Sequence, residues 1–535
     1  MSTNLFYNYG PPGCGKTTSL EQYAREAVEE HGSDRVVLTS MTNAAANEIK
    51  SRGIEIKTGQ VGTLHSLAKR SLGKNIKVAQ VKSFNEEFPE YKLTTSDNGV
   101  DSEGIKENTK SRTKGDRLLA QLNIYRSSLI PQNTWPTNVK RFSQKWFDYL
   151  KKTETVDFVM MIELAIENTW SAPGTPRALI GDEAQDWSKL ETKLFRDCWG
   201  DRAETVIMAG DPDQAIYEWR GANPNIFMEH SIPLGQKKFL RQSYRLPKNP
   251  HRYARKLIKR IKNREDVEFS PTPNKGTVER FRANIKTSNR LIPLIQKELK
   301  NERTVMILAS CGFMFTDTIN VLKKEGIPFH NPYRTTNAAW NPLARKEKQT
   351  MPVDRVASFL KPDERLGKYA REWKTKDFIK WAAWLRSGDV LARNVKSNMS
   401  EDYFSIPDEF EPFAKLFSKE EHANEALLLN LEWYLNSVGN KERNKIKFPI
   451  TVAQKQGPQA LYVEPSVCLG TIHSVKGSEA DTVIIFPDVS TKMYQEKRKD
   501  INTDPETIRQ FYVGVTRTKD RLILCEPASF GAFRW

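Results

Sequence analysis

Gly10-Pro-Pro-Gly-Cys-Gly-Lys-Thr17 decides the fold of this 535-residue chain. It meets G-x-x-x-x-G-K-[ST] at every fixed position. The apolar run Leu5-Phe-Tyr-Asn-Tyr9 before it predicts a buried strand, and Thr18 to Glu30 after it predicts a helix. Strand, loop and helix together are the context the motif needs; without them it would be a glycine-rich turn. The ATP-binding stretch is Gly10, Pro11, Pro12, Gly13, Cys14, Gly15, Lys16, Thr17 and Thr18. Its glycines let backbone N–H groups turn inward around phosphate oxygens. Lys16 adds a point charge for the β- and γ-phosphates, and the Thr17 hydroxyl is a Mg²⁺ ligand. The loop predicts a nucleotide-binding protein and leaves its work open.

The length exceeds what one core supports and predicts about three to four domains. A hydrophobic content of 38% with 10% aromatics fits packed domains, not disorder. The net charge of +17 predicts a polyanionic partner. Five scattered cysteines without C-x-x-C spacing point to a reducing compartment and away from zinc. The loop begins too early for a signal peptide to precede it, and no apolar run is long enough to span a membrane. A cytoplasmic location, bacterial or in an infected host cell, is expected.

Outward from the loop, the α/β pattern continues. Arg35 to Ser40 predicts a second buried strand, Met41 to Lys50 a helix start, and Val61 to Ser66 a third strand with a polar end. Strands alternating with helices predict parallel sheet, whose carboxyl strand ends hold ligands. Residues 71–171 read as a helical insertion with Trp135, Trp146, Phe147 and Tyr149 as its core and a polar loop near Thr94 to Gly115. The α/β pattern resumes at Ala178 to Ile180, which delivers Asp182 and Glu183. Asp182 is assigned to the metal and Glu183 to the attacking water, against an ordinary acidic turn. Thr205 to Asp211 predicts another strand. A second α/β block is expected from about Gln236, with strands at Thr304–Ser310, Gly326–Phe329, Val467–Ile472, Thr482–Phe486 and Arg521–Cys525. Residues 333–455 read as a second helical insertion anchored by Trp373, Trp381, Trp384 and Trp433. The expected division is therefore 1–70 with 172–235, 71–171, 236–332 with 456–535, and 333–455. Arg241 to Arg264 carries ten Lys/Arg and no acid, with Tyr253, Leu257, Ile258 and Ile261 at helical spacing. One face is buried and the other basic: a solvated face or a phosphate contact.

Further motifs follow in order: Thr39 to Glu48, Gly62 to Ser66, Asp182 to Asp186, Gly210 to Ala222, Leu240 to Arg245, Gly470 to Glu479 and Tyr512 to Arg517. The ordered set resembles the UvrD/PcrA/Rep group of superfamily 1 DNA helicases over both α/β blocks. The resemblance implies two RecA-like P-loop domains with parallel sheets, each carrying a helical insertion, and ATP with Mg²⁺ in the cleft between them. It implies that Gln214 senses the γ-phosphate, that Arg245 and Arg517 act as arginine fingers, that Tyr244 stacks on adenine, and that Gly477 and Glu479 complete the nucleotide site. An arginine suits a finger because its fork is fixed and always charged. It places Thr39, Asn43, Thr63, His65, Tyr217, Trp219, Arg220 and His473 along a single-strand groove, where Trp219 suits base stacking.

The pattern departs from the family at several places. Only Met1 to Asn4 precede the first strand, where relatives carry a glutamine segment that reads adenine. Leu64 replaces an aromatic, the second insertion is short, and a C-terminal extension is absent. The resemblance implies 3′-to-5′ travel on single-stranded DNA, unwinding at single/double-strand junctions in replication, repair or recombination, and a monomer as minimal unit with a loading or replication protein as partner. The alternatives are a translocase that strips proteins and unwinds poorly alone, an ATP-gated clamp, and an RNA helicase.

Overall fold

A computed structural model describes all residues except 1–2, 42–52, 74, 95–112, 170, 229–231, 333, 335–336, 362–372, 401–403, 408 and 498–500. Two parallel sheets organise it. The first contains β1 (Asn4–Tyr9), β2 (Val36–Thr39), β3 (Val61–Gly62), β4 (Ala178–Gly181), β5 (Thr205–Gly210) and β6 (Lys237–Phe239), in the order β3-β2-β4-β5-β1-β6. The second contains β7 (Thr277–Phe281), β8 (Val305–Ala309), β9 (Val467–Thr471), β10 (Ala480–Ile485) and β11 (Thr518–Cys525), in the order β7-β11-β10-β8-β9. Parallel pairing requires crossover connections, and helices on both faces bury the strands, so β2, β4, β8 and β9 are apolar and buried throughout. Among the described residues no helix is long and apolar enough to cross a membrane.

Four expectations need correction. β1 is buried only from Tyr7 onward, and Phe6 is exposed. The reason is pairing: β5 flanks β1 from Asn4, but β6 flanks only Tyr7 to Tyr9. Lys237–Phe239 thus belongs to the first sheet, so the second block begins later than Gln236. The strand expected through Ser66 stops at Gly62, because the Thr63 hydroxyl accepts the Ser66 N–H at 3.3 Å and starts the helix Leu64–Leu72. Gly326 to Phe329 forms no strand; Pro328 lacks the donor a ladder needs, and only His330 bridges β9. β7 is an addition: its charged sequence suits a sheet edge and gave no strand signal.

The first helical region packs Phe84, Phe142, Trp146 and Tyr149 together, with Trp135 at its rim and Phe147 beneath the Arg126 guanidinium at 5.1 Å. Arg126 is itself buried, paired with Asp157 at 2.7 Å and Glu163 at 2.6 Å. Of the loop expected near Thr94 to Gly115, 95–112 lie outside the described residues; Gly115 is in the helix Lys114–Ser127. In the second helical region Trp373 and Trp381 are buried, Trp384 and Trp433 pack at the margin, and Trp340 is fully buried as well.

Candidate functional site

The loop after β1 turns at Gly13 (φ 71°) and Gly15 (φ 76°), both in the left-handed region that favours glycine. Gly10 is needed for a different reason: a Cβ there would lie 1.9 Å from Lys16 Cγ, so the lysine stem runs back across it. Lys16 Nζ donates to the Gly10 carbonyl at 3.0 Å and lies 3.7 Å from Glu183 Oε1. Pro11, Pro12 and Cys14 are buried beneath the loop, and burial pushes the Cys14 thiol up to about 12, leaving it inert. Thr17 is half-buried and Thr18 exposed at the start of the helix Lys16–His31.

β4 ends in the acidic motif. Glu183 is in the left-handed region at φ 54°, which aims its carboxylate back at the loop. Its N–H donates to Asp182 Oδ1 at 2.9 Å. Burial, reinforced by Glu183, pushes the Asp182 carboxyl up to about 7, against the pull of Lys16. Burial would raise Glu183 too, but Lys16 and Lys476 hold it well below the usual carboxylate range. Glu183 is the ionised member of the pair and Asp182 the one short of a cation.

The second block meets this loop directly. The Tyr244 N–H donates to the Gly13 carbonyl at 2.8 Å, and the Ser243 hydroxyl donates to the Pro12 carbonyl at 2.8 Å. The Tyr244 ring is 77% exposed beside Gly15 and free to stack. Arg245 Nε donates to Glu479 Oε2 at 2.6 Å, so two expected nucleotide contacts hold each other. Gly477 is exposed with φ 92°. Arg517, only 2% exposed, donates from Nη2 to Gln214 Oε1 at 2.8 Å and from Nε to the Val513 carbonyl at 3.0 Å. Burial, with Arg245 nearby, pulls its guanidinium down to about 9. Gln214 donates to Asp211 Oδ2 at 2.7 Å, fixing which way its amide points.

The residues expected along nucleic acid divide into two places. Tyr217, Trp219 and His473 form one aromatic cluster, with ring centroids 5.6 Å (Tyr217–His473) and 6.4 Å (Trp219–His473) apart. The Arg220 guanidinium lies over both the Tyr217 and Trp219 rings, at 5.7 and 6.0 Å. Thr63, His65 and Arg220 line a cavity of about 270 Å³ with Met41, Phe158 and Glu191. Two residues depart from the expectation. Thr39 is completely buried at the end of β2, so its hydroxyl faces the interior. His473 is committed within the protein: Nε2 lies 3.0 Å from the Ile216 carbonyl, and burial pulls the ring down to about 4. Asn43 lies outside the described residues.

Sequence reasoning missed the groups that tie the two sheets together. Lys476, inside a quoted motif, reaches Glu183 Oε2 at 3.2 Å, forms a closer pair with Asp186, and donates to the Gln214 carbonyl at 3.0 Å. Burial pushes Asp186 up to about 6 despite Lys476. Arg264, at the end of the basic run, donates from Nε to Asp213 at 3.0 and 3.1 Å. Arg509 pairs with Glu218 at 2.5 Å. Each partner is Gln214 or Glu183 itself or lies within four residues of one of them, but the pairs span 51 to 293 positions of sequence, and no local signal joins them.

Residues 9–233 match the family model described as UvrD/REP helicase N-terminal domain, and 315–527 match the UvrD-like helicase C-terminal domain. Rep, an ATP-dependent DNA helicase of Buchnera aphidicola subsp. Acyrthosiphon pisum, is 21% identical over 91% of this chain and 87% of its own. A second Rep, from Buchnera aphidicola subsp. Schizaphis graminum, is 24% identical over 50% of this chain and 42% of its own. The ATP-dependent DNA helicase PcrA of Leuconostoc citreum is 26% identical over 44% of this chain and 35% of its own. The matched part is thus less than half the length of two of these relatives.

Proposed function

The chain belongs to the UvrD-like superfamily 1 helicases, and we propose that it is an ATP-driven motor that travels 3′-to-5′ on single-stranded DNA and opens duplex. One observation carries the reading: hydrolytic groups from both sheets converge on the P-loop, with Gln214 and Arg517 2.8 Å apart across the junction. The proposal includes the domain division expected from sequence, moved past Phe239 at its central boundary. It also includes a monomer as minimal unit, a cytoplasmic location and a loading protein as partner.

In this mechanism Lys16 leaves the Gly10 carbonyl and Glu183 for the β- and γ-phosphates. Gln214 and Arg517, already paired, face the γ-phosphate together, and Arg245 exchanges Glu479 for phosphate oxygens while Glu479 turns to the ribose. Tyr244 offers its open face to adenine. Glu183, released by Lys16, orients the attacking water and is ionised to accept its proton. Thr17 and Asp182 would hold Mg²⁺, which would supply positive charge to the phosphate oxygens; a hydroxyl and a buried carboxyl are oxygen donors that suit this hard cation. Movement passes from Gln214 along its loop to Tyr217, Trp219 and Arg220, which grip and release bases.

The test is strand separation with ATP and Mg²⁺ on duplexes carrying a 3′ or a 5′ single-stranded tail. Opening only the 3′-tailed duplex is expected. Opening only the 5′-tailed one refutes the direction. Opening neither, with DNA-stimulated ATPase intact, refutes unwinding by the chain alone and leaves a protein-stripping translocase. No ATPase with single-stranded DNA present leaves the clamp.

A further inference from the structure

The helix Lys248–Ile258 lies on one face of the second sheet. Its Ala254, Leu257 and Ile258 pack with Met306, Leu308, Leu522 and Leu524 of β8 and β11. The opposite side of the helix is a stripe of cations. At about 100° per residue, Lys248, Arg252, Lys256 and Lys259 fall within about 80° of one another, along about 16 Å of axis. All four side chains are exposed, and none makes an ion pair or hydrogen bond among the described residues. Arg280, on the edge strand β7 beside the helix, is exposed as well.

The neighbouring acids do not neutralise this stripe. Asp266 is taken by Arg255 at 2.7 Å and Arg264 at 2.6 Å. Glu265 lies 3.9 Å from Lys237, and Glu279 pairs with Arg521 at 2.8 Å. Glu268, between the buried Val267 and Phe269, is exposed and has no ion pair among the described residues. Four open cations at a spacing of about 6 Å repel one another, and a polyanion laid along them removes that repulsion.

We propose that this stripe is a second nucleic-acid surface, separate from the single-strand path, and that it holds the phosphate backbone of double-stranded DNA. Duplex is chosen over single strand by what the surface lacks. Single-strand sites combine cations with aromatic platforms. Here the helix's one aromatic, Tyr253, is half-buried and packs, like Tyr217 and Trp219, against the core under the buried side of the helix, opposite the cations. Cations without stacking groups contact backbone and read no base. Along about 16 Å of helix they face about five phosphates of one strand. The surface is rigidly tied to the motor, because Arg264, just past the helix, grips Asp213 beside Gln214. The proposal rests on the motor reading only in taking DNA as the polyanion.

The test compares the full chain with the variant Lys248→Ala/Arg252→Ala/Lys256→Ala/Lys259→Ala. Alanine keeps the helix. A charge-matched control is Lys286→Ala/Lys297→Ala/Lys300→Ala/Lys324→Ala. Those residues are exposed on the other side of the sheet, where Leu294 and Ile295 pack with Val305 and Ile307. Binding to a blunt 20-base-pair duplex and to a 12-nucleotide single strand is measured by anisotropy across salt concentrations. The stripe variant is expected to lose affinity for duplex, with the slope of log K against log salt shallower by about three to four, at about 0.9 per phosphate. Its single-strand affinity and single-strand-stimulated ATPase stay as in the parent. An unchanged duplex slope, or an equal loss in the control, overturns the proposal. Equal loss on the single strand overturns the duplex assignment and moves the stripe into the strand path. The expected slope difference, in a parent that shows no strand-stimulated ATPase, upholds this surface and refutes the motor.

Discussion

Arg517→Met is expected to abolish ATP turnover without destabilising the protein. Arg517 is 2% exposed, and burial with Arg245 nearby pulls its guanidinium from the ordinary 12.5 down to about 9. At about 1.4 kcal/mol per pH unit, that depression means roughly 5 kcal/mol of unfavourable environment for the cation. Methionine removes this cost at similar volume. It also removes a long, weak hydrogen bond to the Ser478 carbonyl at 3.5 Å, and the hydrogen bonds to Gln214 Oε1, the Val513 carbonyl and Thr516 Oγ1. Those contribute about 1 to 3 kcal/mol each, and Gln214 keeps its bond to Asp211. The two sides nearly cancel, so the nucleotide-free variant should unfold within about 2 kcal/mol of the parent. Turnover should fall by about 10³- to 10⁵-fold, as when an arginine finger is lost. Urea denaturation without nucleotide and single-strand-stimulated ATPase supply the two numbers. A variant destabilised by more than about 4 kcal/mol would show that Arg517 holds the fold together. ATPase within tenfold of the parent would show that it does not face the phosphates.

Lys476→Met leaves Asp186 and Glu183 without their buried cation and should cost roughly 3 to 5 kcal/mol of stability. It should also move the acid limb of the pH–ATPase profile upward, as Glu183 loses a charge that keeps it ionised; an unmoved limb refutes that role. Trp219→Ala should weaken single-strand binding by roughly 1 to 3 kcal/mol at fixed salt with nucleotide affinity retained, and an unchanged dissociation constant would make Trp219 core. His473 is pulled down from 6.5 to about 4, so the unfolded chain takes up its proton first as pH falls. Its contribution is fully present above pH 6.5 and is lost as pH drops toward 4. Between pH 7.5 and 5 the parent should lose roughly 2 kcal/mol that His473→Asn does not lose; equal losses by thermal unfolding would refute the buried neutral ring.

The sequence by itself determined the α/β class, the P-loop, the acidic pair after β4 and the order of the later motifs. These are local facts: a glycine turn, an apolar run and a carboxylate at a strand end are each set by a few adjacent residues. It also exposed the basic run, because charge and helical spacing are legible within a single helix. Only the tertiary structure decided what those groups touch. β6 joins the first sheet because it pairs with β1 across more than two hundred residues, and Thr39 is buried where β2 lies between β3 and β4. Glu183 is ionised because Lys476 arrives from the second sheet beside Lys16, while burial and the charge on Glu183 hold Asp182 up at about 7. Burial and long-range charge set these properties, and both depend on which distant residues the fold brings within a few ångströms.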